Sequence, residues 1–438
     1  MAIPKLAPCV ALLIGVSCAH PSYHDGSELR GAPGLWEWRP RAVAPELPEP
    51  PSTLVAECRE RRERLAAAVG GPSAVWLEAA GTDGEGQFFQ SDDFYYFTGT
   101  EDADIGLLLQ VDAAGRLVKE TLFLPPHDPN WEAWNGPRLS PGDAAEAATG
   151  IRDSAELGEL GAHLEALDVP VIHTLDGLDE SPEHLEVKAR ERGAPLRGAI
   201  NRLRLVKSAY EIQCLRNSIN ITTAAMRTAA VEIQDGGTEF ALQGAIEGSY
   251  LRFGSERRGF ASICAAGGNA VTLHYSDNVD TLDDGELVLM DIGSKYRYYC
   301  ADVTRTLPVN GRFSPRQREL YELVLAAQKH AEERVQAGMT LQEMHQLAVE
   351  YFEDAGYRKY FTHGLGHWIG LDVHDVGRGL PIEVGSLFTI EPGLYIEAEG
   401  IGIRIEDDYL MTEDGPVRLS TGFPREVAEI EAFLEALH

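Results

Sequence analysis

The chain has few basic residues for its length. Its 438 residues include 38 lysines and arginines but 69 aspartates and glutamates, which gives a formal net charge of −31 at pH 7. Because a phosphate backbone demands a basic surface, this balance argues against nucleic acid as a partner. The simplest explanation of the acidic excess is a soluble surface kept apart by self-repulsion. Past its N-terminus the chain also lacks a run of about 18 apolar residues, the length that spans a membrane.

Cysteines are few and show no metal-binding spacing. Six are present, of which Cys9 and Cys18 lie close to the N-terminus. The other four show neither a CxxC spacing nor a metal-knuckle pattern; they are Cys58, Cys214, Cys264 and Cys300. We interpret these four as buried, small apolar side chains rather than as a disulfide framework.

The N-terminus has the pattern of an export signal. Lys5 precedes the apolar run CVALLIGVSCAH, residues 9–20, which has the length of a signal-peptide core. Cys18 follows small residues, as the lipid-accepting cysteine does in bacterial lipoprotein signals. We therefore expect a leader over residues 1–18 and an exported, periplasmic or membrane-anchored protein; the alternative is an unprocessed leader on a cytoplasmic protein. Residues 19–51 are polar and proline-rich, which predicts an extended tether.

The remaining chain is long enough for two domains. Between residues 52 and 200, short apolar strands alternate with helical patterns, which is typical of a compact α/β domain. A long helix predicted over residues 204–233 opens the second domain, residues 201–438. The residue types that carry chemistry are concentrated in this second domain.

Two aspartates lie in adjacent β-type runs of the second domain. The segment ELVLMDIGSKYRYYCADVTRTLPV, residues 286–309, predicts two antiparallel strands joined by a tight connection. Asp291 and Asp302 then fall roughly opposite one another, so their carboxylates can meet on one face. Two unpaired carboxylates are costly to bury, so something must neutralise them. The alternative is that they are ordinary loop acids or pair with a neighbouring base: Lys295, Arg297 or Arg305.

Two glutamates add to this set. Glu391 lies inside the apolar run SLFTIEPGLYI, and Glu406 follows alternating isoleucines in GIGIRIEDDYLMT, on the same face as Arg404. An ion pair between Arg404 and an acid is the alternative explanation for the second segment. Four carboxylates and one neutral imidazole would balance two divalent cations. Oxygen-rich ligation with one nitrogen suits manganese, with cobalt, iron or zinc as competitors.

The histidine-rich stretch HGLGHWIGLDVHDVG, residues 363–377, allows two interpretations. His363 and His367 have the spacing that places a zinc-binding pair on one face of a helix. However, each glycine costs a helix about 1 kcal/mol relative to alanine, and no glutamate follows His363. Three glycines interrupt the stretch: Gly364, Gly366 and Gly370. We therefore predict a strand and loop that presents one metal ligand and adjacent substrate-binding groups.

The motifs DIG, ADVTRT, HGLGHWIGLDVHD, TIEPGLYI and GIRIEDD occur in this order. Together they resemble the metallopeptidase family that includes Xaa-Pro aminopeptidase, prolidase and methionine aminopeptidase. The resemblance covers residues 200–425, and the stretches SDDFYYFTG and EAWNGPRLSPGDAA are similar to the N-terminal domain of the aminopeptidase P type. It implies an α+β fold in which a pita-bread catalytic domain is preceded by a smaller α/β N-terminal domain.

The resemblance implies a centre of two divalent metal ions. Asp291 would bind one ion, Asp302 and Glu406 would bridge both, and His367 and Glu391 would complete the other. The ions, manganese in first place, would acidify the water that attacks the peptide carbonyl. Glu391 would pass a proton to the leaving proline nitrogen.

The resemblance also implies substrate-binding roles. His274 would contact the tetrahedral intermediate, His363 and His374 would hold the substrate carbonyl and the proline ring, and Arg404 would support the site. The implied partners are proline-containing peptides and further copies of the chain, in a dimer or tetramer. Many relatives carry a tryptophan at the position of Tyr95, where it reaches a neighbouring subunit's site.

The expected activity is that of a di-manganese exopeptidase, which releases the N-terminal residue from peptides with proline in second position. Tyr395 is expected among the apolar groups that grip the proline ring. The alternative is a prolidase, which cleaves only Xaa-Pro dipeptides. A remote alternative is a catalytically silent peptide-binding module on the same fold, against which the five ligand positions argue.

Overall fold

The computed structural model describes residues 44–81, 88–175, 190–192 and 194–437. The predicted leader with Cys18, and the predicted tether as far as residue 43, lie outside the described residues. The α-helices are α1 (Leu54–Val69), α2 (Asp92–Thr98), α3 (Pro129–Asn135), α4 (Asp143–Thr149), α5 (Leu160–Glu165), α6 (Ala194–Leu205), α7 (Ala209–Ala229), α8 (Glu239–Arg252), α9 (Pro315–Glu332), α10 (Leu341–Asp354) and α11 (Val427–Glu435).

The strands of the first half are β1 (Ser73–Glu78), β2 (Gly106–Val111), β3 (Leu117–Leu124), β4 (Asp153–Glu156), β5 (Ile172–Thr174) and β6 (Arg190–Arg192). Those of the second half are β7 (Gly237–Thr238), β8 (Arg257–Arg258), β9 (Ile263–Ala266), β10 (Thr281–Leu282), β11 (Leu287–Ile292), β12 (Ser294–Tyr296), β13 (Tyr299–Cys300), β14 (Val303–Pro308), β15 (Leu387–Ile390), β16 (Gly393–Ile396), β17 (Ile401–Arg404), β18 (Asp407–Thr412) and β19 (Gly415–Arg418).

The first half is built on one mixed sheet with the strand order β4-β3-β2-β1-β5-β6. Its centre, β1, reads SAVWLE and has five fully buried positions, as expected for a strand covered on both faces. Helix α1 begins after Thr53, whose side chain accepts a hydrogen bond from the backbone N–H of Ala56. Leu65 and Ala66 of α1 are completely buried. Alternating helices and strands thus form a packed α/β unit.

The end of the predicted tether is docked rather than free. Residues 44–50 have no regular secondary structure, as their proline content predicts. Yet the Asn217 side chain, buried on α7, donates a hydrogen bond of 2.9 Å to the carbonyl of Pro48. Arg297 pairs with Glu49 at 2.9 Å. Residues 48 and 49 are thus in contact with the second half of the chain.

Tyr95 on α2 belongs to the interior of its own chain. Its ring stacks on that of Tyr298, with 3.8 Å between the ring centroids. Only 4% of Tyr95 is exposed. Where many relatives carry a tryptophan, this chain therefore has a tyrosine whose ring is covered within its own chain.

The predicted hairpin around the two aspartates is present with a different connection. Strands β11 and β14 pair antiparallel, but the chain between them forms a second hairpin, β12–β13, in another sheet. The register puts Thr304 opposite Asp291. Asp302 lies two residues before Thr304, and side chains in an extended chain repeat with a period of two. Both aspartates consequently project from the same face.

The bases considered as partners for these aspartates are all paired elsewhere. The pairs are Lys295–Asp92 at 3.3 Å, Arg297–Glu49 at 2.9 Å and Arg305–Asp407 at 2.7 Å. Asp291 and Asp302 are not neutralised by any of these three.

The histidine-rich stretch is not a helix. Residues 361–386 run as turns and irregular backbone, with an isolated β-bridge between Trp368 and Phe388. The β-carbon of an alanine at 366 would lie 2.0 Å from the carbonyl oxygen of Thr389. At the same place the backbone N–H of Thr389 donates a hydrogen bond of 2.9 Å to the carbonyl of His367. A residue without a side chain is therefore required at 366, and the zinc-helix interpretation is wrong.

Cys58, Cys214, Cys264 and Cys300 are buried and free, which confirms their interpretation as small apolar side chains. Within the described ranges, no helix combines the length and the apolar character that a membrane crossing needs.

The two neighbouring glycines of the HGLGH segment provide a matched test of the close approach. Gly366→Ala should lower the free energy of unfolding by about 1–3 kcal/mol, since the added methyl collides with rigid backbone. Gly364→Ala should change it by less than about 0.5 kcal/mol, because the nearest atom to its added methyl is 4.0 Å away. Denaturant unfolding of both variants checks this. Equal losses of stability in the two variants would show that the contact with the Thr389 carbonyl does not restrict position 366 to glycine.

Candidate metal centre and substrate cavity

A single cavity of about 500 Å³ brings the predicted site residues together. All nine line it: His274, Asp291, Asp302, His363, His367, His374, Glu391, Arg404 and Glu406. Apolar side chains complete the wall, among them Phe260, Leu273 and Val373. The structure thus places the candidates in one site, while the role of each stays a prediction.

Strand ends converge to position the four carboxylates. Asp291 is the fifth residue of β11, Asp302 directly precedes β14, Glu391 directly follows β15, and Glu406 links β17 to β18. Backbone hydrogen bonds fix the two glutamates, since Glu406 N–H donates to the Thr304 carbonyl at 3.1 Å and Glu391 N–H to the Leu365 carbonyl at 2.8 Å. The carboxylates are held by backbone geometry rather than by flexible loops.

His367 faces three of these acids. Its Nε2 lies 3.4 Å from Asp302 Oδ2, 3.4 Å from Glu391 Oε1 and 3.9 Å from Glu406 Oε1. Its Nδ1 is 3.0 Å from the Trp368 carbonyl, which can only accept a hydrogen bond. Nδ1 therefore carries the proton, and the Nε2 lone pair is free to bind a cation. Ligand atoms of Asp302, His367 and Glu406 all lie within 4.8 Å of one another, as one ion requires.

The crowding of acids raises their pKa values. Burial, then the nearby Glu406 and Asp291 carboxylates, raise the pKa of Asp302 well above its usual range. Burial, then Glu391 and Asp291, do the same for Glu406. Burial raises the pKa of Glu391 to about 8, although Arg404 opposes the shift. Conversely, burial and the adjacent His374 lower the pKa of His367 to about 4, so the imidazole is neutral at pH 7.

These groups fit a pair of divalent cations. Three buried oxygens, Asp291 Oδ1, Asp302 Oδ1 and Glu406 Oε1, have no hydrogen-bond partner. A buried carboxylate oxygen without a partner is costly, and several facing one cavity call for positive charge. Oxygen donors with a single imidazole nitrogen are a donor set for hard or borderline divalent ions. The residues of this chain therefore meet the requirement for a metal centre.

Arg404 both pairs with an acid and belongs to the site. Its Nη2 lies 2.5 Å from Asp291 Oδ2, and its Nη1 donates to the Tyr395 hydroxyl at 2.8 Å. The Tyr395 hydroxyl in turn lies 3.0 Å from His363 Nε2, and His363 Nδ1 lies 2.8 Å from the carbonyl of Gly364. The ion pair considered as an alternative for Arg404 is thus part of the site. Tyr395 differs from the expectation, because its hydroxyl joins two site residues instead of its ring gripping proline.

Sequence reasoning missed the hydroxyl and acid groups that orient the ligands. Thr304 Oγ1 donates to Glu406 Oε2 at 2.6 Å. Asp408 Oδ2 accepts from the backbone N–H of Asp302 at 3.1 Å. Thr304 could have been found, because it stands two residues from Asp302 in β-type sequence and so faces the same side. No sequence pattern pointed to Asp408, because its carboxylate contacts a backbone N–H rather than a side chain.

The loop that carries His274 is held by a fully buried carboxylate on α8. Glu239 accepts hydrogen bonds from the backbone N–H groups of Ala266, at 2.7 Å, and Asp280, at 2.9 Å. It also accepts from the Tyr275 hydroxyl at 2.7 Å. One carboxylate thereby joins both ends of the loop, which fixes His274 against the cavity.

Comparison with known proteins agrees with this site. Residues 213–413 match the model of metallopeptidase family M24, and residues 58–170 match that of the aminopeptidase P N-terminal domain. The Xaa-Pro aminopeptidase of Haemophilus influenzae is 34% identical, over 86% of this chain and 96% of its own. That of Escherichia coli is 33% identical, over 87% and 98%.

Solved structures of related proteins have a similar fold. The solved structure of E. coli aminopeptidase P with the inhibitor Pro-Leu has a TM-score of 0.79 at 31% identity, and the match covers 87% of this chain and 98% of that one. The predicted fold class and the predicted metallopeptidase class are both confirmed by these matches. The chain belongs to the Xaa-Pro aminopeptidases of metallopeptidase family M24, with an aminopeptidase P N-terminal domain.

Proposed function

We propose that this protein releases the N-terminal residue from peptides with proline in second position, at a centre of two divalent cations. The observation that carries the proposal is the convergence of four carboxylates and the His367 imidazole on one cavity. The names of the relatives and the Pro-Leu inhibitor of the E. coli enzyme support the same substrate class. A silent binding module would have no need to keep these acids together.

The ligands would be those of the sequence prediction: Asp291, Asp302, His367, Glu391 and Glu406. When bound, the cations would supply Lewis-acid charge that makes water a nucleophile near neutral pH. We propose manganese as the native ion, because oxygen donors outnumber nitrogen, with cobalt, zinc or iron as the competing choices.

Each protein group then has a task that its geometry supports. Glu391 lies 3.4 Å from His367 Nε2 and 3.7 Å from His363 Nδ1, and it lines the cavity. It is therefore placed to take the proton from water and give it to the leaving proline nitrogen. His274, His363 and His374 line the cavity and would orient the substrate. Arg404 holds Asp291 and, through Tyr395, the ring of His363.

The cavity wall favours longer peptides over dipeptides. A strict dipeptidase needs basic groups for the free carboxylate that directly follows proline. Arg404 is the sole lysine or arginine among the cavity-lining residues of the described chain, and Asp291 and Tyr395 already occupy it. Val373 and Leu273 offer an apolar surface for the proline ring. We therefore place the prolidase alternative second.

We also propose that the protein is exported and held at the membrane by lipid on Cys18, and that it forms a homo-oligomer. The support for export is the sequence pattern of residues 1–20, which lies outside the described residues. Wild-type protein should fractionate with membranes, and Cys18→Ser should release it, because acylation has lost its acceptor. Cell fractionation with N-terminal sequencing checks this. Cytosolic protein with an intact Met1 would contradict the proposal.

Asp302→Asn tests the metal centre. The change removes a charge that both ions are proposed to share, so metal content should fall and hydrolysis should drop by roughly 10³-fold or more. Asp414→Asn, at an exposed turn between β18 and β19, is the matched control and should behave as wild type. Elemental analysis and tripeptide hydrolysis provide the readouts. Near-normal turnover of Asp302→Asn would exclude the two-metal proposal.

The substrate proposal predicts an order of kcat/KM values with manganese. Ala-Pro-Ala should exceed Ala-Ala-Ala by roughly 10–200-fold, the range that filling an apolar pocket provides. Ala-Pro should be the poorer proline substrate, because the cavity has no free basic group for its carboxylate. Cleavage of Ala-Pro alone would identify a prolidase instead.

A further inference from the structure

A buried ion cluster lies next to the cavity and is not used by the chemistry described above. It consists of Asp375 with Arg204 and Lys207 from the end of α6 and the turn that follows it, and of Asp93 on α2. Asp375 and Lys207 each have 1% side-chain exposure, and Arg204 has 5%. We refer to these four residues as the 375 cluster.

Asp375 is held on both carboxylate oxygens. Arg204 Nη2 lies 2.5 Å from Oδ1, and Lys207 Nζ lies 2.9 Å from Oδ2. Burial alone would raise the pKa of Asp375, but the two cations hold it below its usual range. The space is also closed from the other side, because a β-carbon on Gly370 would lie 2.0 Å from Asp375 Oδ2. This carboxylate has a single available position.

The cluster connects two parts of the chain that are far apart in sequence. Arg204 Nη1 lies 2.8 Å from Asp93 Oδ1, and Arg197 of α6 also pairs with Asp93. Asp93 belongs to the first turn of α2, inside the region that matches the aminopeptidase P N-terminal domain. Arg204 thus bridges the N-terminal domain to the loop of residues 368–375.

That loop carries a predicted substrate-binding residue. His374 directly precedes Asp375, and its ring packs against that of His367 with 4.3 Å between the centroids. The backbone N–H of Asp375 donates to the Trp368 carbonyl at 2.9 Å, which closes the loop at its base. Fixing the Asp375 side chain therefore also fixes the direction in which His374 enters the cavity.

We propose that Asp375 is the positioning residue of His374, and that Arg204 makes this position depend on Asp93 of the N-terminal domain. The substrate role of His374 rests on the proposed function, whereas the positioning itself does not. Because a misplacement of about 1 Å at a site can cost roughly 10²-fold in rate, the cluster would let the N-terminal domain influence peptide hydrolysis without touching substrate.

The test compares three variants of the full-length, zinc-loaded protein, since zinc is diamagnetic. Asp375→Asn weakens both contacts of the carboxylate, and Asp93→Asn weakens only the link to α2. Asp112→Asn is the matched control, an N-terminal-domain aspartate that pairs with Arg116 at 2.7 Å in the β2–β3 turn. The side-chain NMR signal of His374, assigned by its loss in His374→Gln, is recorded with histidine-labelled protein.

We expect the His374 signal to move in Asp93→Asn and Asp375→Asn and to stay in place in Asp112→Asn. An unmoved signal in Asp93→Asn, or an equal movement in Asp112→Asn, would overturn the proposal. Should Asp375→Asn fail to fold, Asp93→Asn decides alone, because it replaces no atom of Asp375 or His374 and can reach them only through Arg204. This readout needs no substrate, so it stands even where Ala-Pro-Ala is not cleaved.

Hydrolysis of Ala-Pro-Ala adds a second readout. With bound metal unchanged, Asp93→Asn should lower kcat/KM by roughly 10-fold, and Asp112→Asn should match wild type. Wild-type values in Asp93→Asn would overturn the coupling to the N-terminal domain.

Discussion

The structure depends on four carboxylates that the fold brings together and buries. Moving even one ionised carboxylate out of water costs several kcal/mol after relaxation, and like charges add repulsion. Arg404 offsets part of the charge through Asp291, but Asp302 and Glu406 keep buried oxygens without partners. Two processes can relieve this cost: the uptake of protons, to which the raised pKa values of Asp302 and Glu406 point, and the binding of cations. Metal binding would therefore add to the stability of the second half.

The segment around Glu406 shows how finely the fold separates acids by environment. Three acids follow one another, yet only Glu406 faces the cavity. Asp407 lies 2.7 Å from Arg305 and, despite burial, this partner and Arg418 hold the pKa of Asp407 below its usual range. Asp408 accepts the backbone N–H of Asp302, and burial raises its pKa well above the usual range. One acid lines the proposed metal centre, one pairs with arginines, and one contacts the backbone of Asp302.

Much of the site could be predicted from the sequence because its ligands lie in extended, apolar segments, where an acid has no ordinary reason to be. Period-two alternation placed Arg404 with Glu406. The predicted pairing of two strands placed Asp291 with Asp302 on one face, even though the predicted connection between these strands was wrong. What the sequence could not reveal depends on contacts distant along the chain. The need for glycine at 366 comes from a carbonyl at 389, and the bond between Tyr395 and His363 comes from a fold-dependent approach. The docking of Pro48 on Asn217 likewise joins segments far apart in sequence.

Two divalent ions are the proposed means of neutralising the buried acids. The most direct measurement is the number of manganese ions that metal-stripped protein binds in equilibrium dialysis, with the unfolding midpoint recorded on the same samples. Uptake should reach about two ions per chain, and the unfolding midpoint should rise until both are bound. Uptake of less than one ion per chain, or a midpoint that does not respond to manganese, would contradict it.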